Sequence, residues 1–320
     1  MSPHPVIVVG AGISGIACAR EVSAAGLPVR VLDRGRRPGG RMAVRTVDGH
    51  AVDLGASYFT VSEPAFAVVV DDWRHRGLAR PWTDTFHLGG PGGLEGTKSG
   101  PQRWAAAHGL RSLVEDLAQG LDVVNGHTVE RVGAGRVDGE PASAVVLAMP
   151  DPQARRLLGA IPLARTEYTP ALVLAAGFPD RVWADVDAVF VHDDDTITFI
   201  ADDGRRRGDG AAVLVAHSTV NLARAHLDDP DAAAGAMLAS MSRLIDIRAQ
   251  PLWSFVHRWT FAQPASTREQ PWFLGEDLVG LCGDGWSTRP RVEAAHESGR
   301  ALGRELAARL GASAPVSLTP

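Results

Sequence analysis

Three glycines in the run GAGISG, Gly10, Gly12 and Gly15, have the spacing of a phosphate cradle. The first permits a tight turn and the second has no side chain to obstruct a pyrophosphate. The third lets a following helix press against the preceding strand, so that the helix's first amides face the anion. Asp33 stands where the second strand of such a unit would end, with a carboxylate able to accept hydrogen bonds from a ribose. Gly39-Gly40-Arg41-Met42 follows: the glycine pair lets backbone approach a dinucleotide, and the guanidinium offers a rigid fork to phosphate oxygens. Near the other end, Gly283-Asp284-Gly285-Trp286 closes an apolar run and leads past Pro290 to a helical segment beginning at Val292. A carboxylate or amide there can meet a ribityl chain, and a helix N-terminus can stabilise negative charge on a reduced isoalloxazine. Taken singly, each has an ordinary alternative: a glycine turn, a surface arginine, a capped strand-turn-helix. Together they fit a dinucleotide, and the first fingerprint is shared by NAD and FAD.

Such groups need a β-α-β unit to hold them. Residues 5–9 form a β-branched apolar run of the kind buried on both faces. A helical pattern then passes through Ile16, Ala19 and Val22 and stops at Gly26, and VRVLD, residues 29–33, reads as a second, parallel strand. Further pieces of the same sheet are the strands 121–124, 129–132, 144–149 and 278–282, with helices over 110–118 and 292–310. Between them lie turn-linked strands at 172–178, 186–191, 196–201, 212–217 and 252–261, with a helical stretch at 230–244, the pattern of an antiparallel sheet under a helix. Residues 89–100, rich in glycine, read as a loop between hairpin strands. The expected fold class is α/β: a Rossmann-type domain over 1–78, 100–165 and 265–320, with an inserted antiparallel-sheet (α+β) substrate domain over 79–99 and 166–264.

The chain of 320 residues is 45% hydrophobic and 22% charged, ample for two cores. A net charge of −5 gives no field for gripping nucleic acid or an anionic membrane, so neither partner is expected. Cys18 and Cys282 have no His or Cys neighbours at metal-ligand spacing, so no metal site is expected and a reducing, cytoplasmic setting is. No apolar run reaches membrane-helix length, and the first one ends at Gly10 without a basic lead-in.

GAGISG with Asp33, GGRM and the GDG segment resemble the FAD-binding amine-oxidoreductase superfamily, and within it the renalase-like family. The narrower resemblance rests on GGRMAVR (39–45), DLGASYFT (53–60), Pro64-Ala65-Phe66, Ala148-Met149-Pro150, HRWTFAQP (257–264) and GDGW (283–286). It implies noncovalent FAD held by Gly10, Gly12, Ile13, Ser14, Gly15, Asp33, Arg34, Gly40, Arg41, Met42, Ala56, Ser57, Val129, Gly283, Asp284 and Val292. It also implies a small-molecule partner, a reduced nicotinamide-type ring, and O2: hydride passes from dihydro isomers of NAD(P) to flavin N5, and O2 then gives hydrogen peroxide. Ser57 stands where relatives commonly carry Gln, a departure that bears on substrate preference.

Trp253, Phe255, His257, Trp259 and Phe261 alternate along one strand and so share a face. They read equally as a wall against which a planar substrate stacks or as a core face. As a general base His257 would need a partner to orient its imidazole, and the sequence shows none nearby, so it reads as a hydrogen-bonding wall residue; oxidation of a dihydropyridine also needs no base. With Tyr58, Trp259 and Trp286 it is the candidate catalytic set. Lys98, the chain's single lysine, opens the alternative of an amine or polyamine oxidase, whose lysine sits near flavin N5; a non-catalytic dinucleotide-binding protein is the third. His192 with Asp193, Asp194 and Asp195 reads as a solvated turn rather than a metal site, and the run Arg205-Arg206-Arg207 as a solvated loop rather than a contact to a substrate phosphate.

Overall fold

The computed structural model describes residues 4–159 and 166–312. The expected boundary at residue 165 and the outermost ends of the first and last expected segments lie outside the described residues. The chain divides into two units, Met1–Gly40, Val114–Tyr168 and Pro264–Pro320 in one, Arg41–Leu113 and Thr169–Gln263 in the other.

In the first unit a six-stranded sheet has the order Phe273–Leu274, Val279–Leu281, Ala144–Leu147, Val6–Val9, Val29–Asp33, Asp122–Asn125. All its pairings are parallel except the edge strand Phe273–Leu274. Val6–Val9 sits near the centre, with every residue buried, as a strand covered on both faces must be. The helix Ile13–Ala24 crosses to the parallel strand Val29–Asp33 and packs on the long helix Val292–Ala312. That packing is unusually close: a Cβ at Gly299 would stand 1.9 Å from Ser14 O, and one at Gly303 would stand 2.5 Å from Cys18 O. Two glycines four apart thus make the groove that seats the nucleotide helix.

The second unit is built on a seven-stranded sheet, in the order Trp253–Pro264, Tyr168–Gly177, Val213–Ser218, Ile197–Asp202, Ala188–Val191, Ala79–Gly90, Gly93–Ala106. Strand alternation sends Leu172, Leu174 and Leu214 to one face, where Met237, Met241 and Leu244 of the helix Ala234–Leu244 cover them. Each such fully buried side chain contributes about 2 kcal/mol. Val173, Ala175, Val213 and Val215 point the other way, toward Val52, Leu54, Trp253, Phe255 and Trp259.

Three expectations are corrected. Residues 89–100 are not a loop: the hairpin strands Ala79–Gly90 and Gly93–Ala106 run through them, with Phe86 opposite Lys98 and Leu88 opposite Gly96. Glycine content marked flexibility, but long-range pairing overrides it. Arg205, Arg206 and Arg207 lie not in a solvated loop but in the short helix Asp203–Arg207, where Arg206 and Arg207 are buried. Asp202 caps that helix, its carboxylate accepting from Arg205 N, and left-handed Gly208 ends it. The strand expected over 129–132 is confined to Val132–Gly133. Residues 41–78 and 100–113 fall in the second unit, residues up to 106 as part of the strand Gly93–Ala106 that pairs within its sheet.

Candidate functional site

In the first unit, sequence and geometry meet at the glycine turn. Gly10 has φ +111°, and a Cβ on it would stand 2.5 Å from Ala148 O; a Cβ on Gly15 would stand 1.9 Å from Gly10 O. Both glycines are therefore demanded by the protein itself. Gly12 is different. Its backbone is extended, and the one atom within 4 Å of a Cβ there is Gly40 Cα at 3.9 Å. The protein leaves that space open.

Gly12 is also the N-cap of Ile13–Ala24, with no side chain capping the helix and no acid in its first turn, so the positive end of the helix is unspent. Gly39 N donates to Ala11 O at 2.9 Å and bridges Gly12, which brings the second glycine pair alongside the first. Asp33 accepts from Ala11 N through Oδ2 and from Gly35 N through Oδ1, each at 2.6 Å. Those two amides fix the carboxylate and leave one lone pair on each oxygen for a ribose. Arg34 is exposed, Ile13 and Ser14 are buried under the turn, and Val129 lies in the core beneath the sheet. A cradle of this form, open where a Cβ at Gly12 would go and lined by unspent amides, fits the pyrophosphate of a dinucleotide.

At the chain's other end Gly283 N donates to Ser298 Oγ at 3.0 Å, and that hydroxyl donates to Pro271 O at 2.5 Å, tying the GDGW segment to the helix that starts at Val292. Gly283 and Asp284 are half-buried. Glu293 in the first turn is buried and pairs with Arg291 at 2.6 Å, which neutralises its charge at the helix N-terminus. Trp286 is buried in the unit's core, stacked with Phe273 and covered by the Arg268 guanidinium at 4.2 Å. Arg268 in turn holds Asp151 with both of its terminal nitrogens. Burial pushes the Cys282 thiol up to about 12, so it is inert as a nucleophile.

The second unit joins GGRM to DLGASYFT. Leu54 N donates to Ala43 O at 3.0 Å and Ala56 N to Arg41 O at 2.9 Å, while a Cβ on Gly55 would meet Arg41 O at 1.9 Å. Arg41 reaches Ala262 O at 2.9 Å, and Trp259 donates its indole N–H to Leu54 O at 2.6 Å. Met42 is buried. His257 packs edge-on to Trp259 at 4.7 Å; burial and the nearby Arg45 hold its imidazole below the usual range. It also lines an open surface depression of about 430 Å³ with Asp228, Asp231 and Arg258.

Tyr58 gathers residues the sequence did not single out. Its ring meets Phe86 edge-on at 5.4 Å, with Trp82 and Phe199 each at 6.3 Å. The Arg103 guanidinium lies 3.8 Å over Phe86 and 5.7 Å from Tyr58. Ser57 Oγ is 3.2 Å from His217 Nε2, whose pKa burial pushes down to about 4. These side chains come from the segment before Phe59 and from four different strands, so no local spacing announces them. Lys98 is exposed on its hairpin strand. Among the described residues no cluster of His, Cys, Asp and Glu is placed to hold a metal ion, and no helix is long and apolar enough to cross a membrane.

Residues 8–73 match a family described as NAD(P)-binding Rossmann-like domain, and residues 82–305 match one described as flavin containing amine oxidoreductase. Hydroxyneurosporene desaturase of Rubrivivax gelatinosus is 47% identical over 58 residues, 18% of this chain and 11% of that protein. Putrescine oxidase of Kocuria rosea is 39% identical over 67 residues, 21% of this chain and 14% of that protein. The stretches that match thus span only a small part of these relatives' own length. The solved structure of cyclohexylamine oxidase from Brevibacterium oxydans IH-35A is similar over 97% of this chain and 100% of its own, with a TM-score of 0.76 at 16% identity, a likeness of fold.

Proposed function

Because this chain belongs to the flavin containing amine oxidoreductase family, we propose that it is an FAD-dependent oxidase of the 2- or 6-dihydro isomers of NAD(P). Noncovalently bound FAD supplies a two-electron acceptor that O2 regenerates, so that one dihydro isomer, one O2 and one proton give NAD(P)+ and hydrogen peroxide. In this reading the amides around Gly12 and Gly40 hold the pyrophosphate, Asp33 orients the adenosine ribose, and the Gly283–Asp284 turn with the helix start at Val292 meets the flavin end. Tyr58, His257 and Trp259 face the substrate and keep water from it. Trp286 stiffens the GDGW turn from the core side.

The observation that carries the choice of substrate is Arg103. The aromatic set around Tyr58 holds a guanidinium 3.8 Å over Phe86. A fixed cation repels an alkylammonium and accommodates a neutral ring attached to phosphates. A dihydropyridine needs no general base, and burial leaves the imidazole of His217 beside Ser57 a weak one, its pKa pushed down to about 4. Lys98, the residue an amine oxidase would use, is exposed on its strand.

The second reading, an amine or polyamine oxidase, is favoured by the stretch similar to putrescine oxidase and by the aromatic rings themselves, which suit a cation. Product analysis separates the two. Under air, dihydro isomers should yield NAD(P)+ and hydrogen peroxide one for one, whereas peroxide released with putrescine or cyclohexylamine, and not with the isomers, refutes the proposal.

A further inference from the structure

Arg206 is fully buried, and nothing in the proposed reaction requires a buried guanidinium there. Its surroundings explain it. One terminal nitrogen donates to the main-chain carbonyl of Ser57 at 2.8 Å. The other pairs with Asp203 and stands 3.5 Å from Asp53 Oδ2. Asp53 anchors through Oδ1 to Leu110 N at 2.7 Å, and Asp203 also pairs with Arg207. The guanidinium carbon lies 6.0 Å from the Trp82 ring. One planar group therefore holds the main chain at Ser57, lies within ion-pair distance of Asp53 at the start of the same segment, and stands near a ring that packs with Tyr58.

A buried ion cluster is a poor way to gain stability alone, because desolvation offsets most of the attraction. What a fork-shaped, always-charged group does well is fix several acceptors in one plane. The Ser57 carbonyl belongs to the residue whose hydroxyl meets His217, and the next residue is Tyr58. Nothing else in the described contacts of Ser57 O competes for that role.

We propose that Arg206 is a positioning residue that fixes the main chain at Ser57, and through it sets the Ser57 hydroxyl against His217 and the direction of the Tyr58 ring. Its consequence for catalysis rests on the proposed function, in which Tyr58 faces the substrate; its structural part does not.

The test compares wild-type holoprotein with Arg206→Lys and Arg206→Gln. Lysine keeps the charge beside Asp203, but its three N–H bonds leave from a single nitrogen and cannot span the Ser57 carbonyl and the carboxylates as the planar fork does. Amide hydrogen exchange over residues 56–59 should quicken at least tenfold in both variants, while the strands Val6–Val9 and Val213–Ser218 keep wild-type protection. In Arg206→Lys the KM for a dihydro isomer should rise about tenfold with a smaller change in kcat. Unchanged exchange over 56–59 overturns the assignment, and so does a uniform loss of protection across the chain in Arg206→Lys, which would mark a purely structural role. If wild-type flavin is reduced by no dihydro isomer, the functional reading fails, and the exchange result still decides the role of Arg206.

Discussion

Ser57 Oγ and His217 Nε2 lie 3.2 Å apart, a short polar side chain joined to a histidine on the central sheet of the second unit. A histidine held neutral by burial makes this pair a pH-dependent element of stability. His217 titrates near 6.5 when unfolded and at about 4 when folded. Its folded pKa is depressed, so between those values the unfolded chain binds more protons. The stability it contributes is complete above about pH 6.5 and is lost as pH falls toward about 4, with a slope of at most about 1.4 kcal/mol per pH unit. Urea unfolding at several pH values should show a shallower acid slope in His217→Gln than in wild type; parallel slopes contradict the burial of a neutral imidazole.

Gly12 and Gly15 should separate fold from ligand. Gly15→Ala drives a Cβ into Gly10 O and should cost about 3 kcal/mol or more in thermal or urea unfolding of the flavin-free protein. Gly12→Ala meets only an ordinary contact with Gly40, so the flavin-free protein should unfold like wild type, while FAD binding, followed by fluorescence quenching, should fall at least a hundredfold. Unimpaired binding in Gly12→Ala would show that the open cradle is not the pyrophosphate site.

Asp33→Ala removes the carboxylate that Ala11 N and Gly35 N orient. FAD affinity should fall about tenfold or more, the worth of one charge-assisted hydrogen bond. A variant that stays fully yellow through dialysis contradicts the ribose role.

What a sequence shows of such a molecule and what it hides divide along physical lines. The phosphate cradle, Asp33 and GGRM are read from short segments, because turn chemistry and close approach are dictated by neighbouring residues. The set around Tyr58 was not, since Trp82, Phe86, Arg103, Phe199 and His217 meet only after five strands pair. The run Arg205-Arg206-Arg207 does carry a helical signal. Asp202 and Gly208 bracket the run as helix caps, and Asp203 precedes Arg206 and Arg207 at the spacing of helical ion pairs. Residues 89–100 misled for the opposite reason: glycines that read as a loop are ones that the tight pairing of two long strands accepts.

Lys98→Ala tests the choice of substrate from the side of the alternative. The lysine is exposed opposite Phe86 on the hairpin, so its removal should leave both fold and the oxidation of dihydro isomers within about twofold of wild type. Loss of that turnover by ten times or more, with FAD retained, would return the lysine to the reaction, and loss of an amine-driven turnover in the same variant would favour amine oxidation.

The most direct test is anaerobic mixing of the purified yellow protein with each donor in turn while the visible flavin band is followed. The 2- or 6-dihydro isomers of NAD(P) should bleach it within seconds, and putrescine or cyclohexylamine should leave it oxidised. Bleaching by the amines alone, or by no donor, would contradict the account.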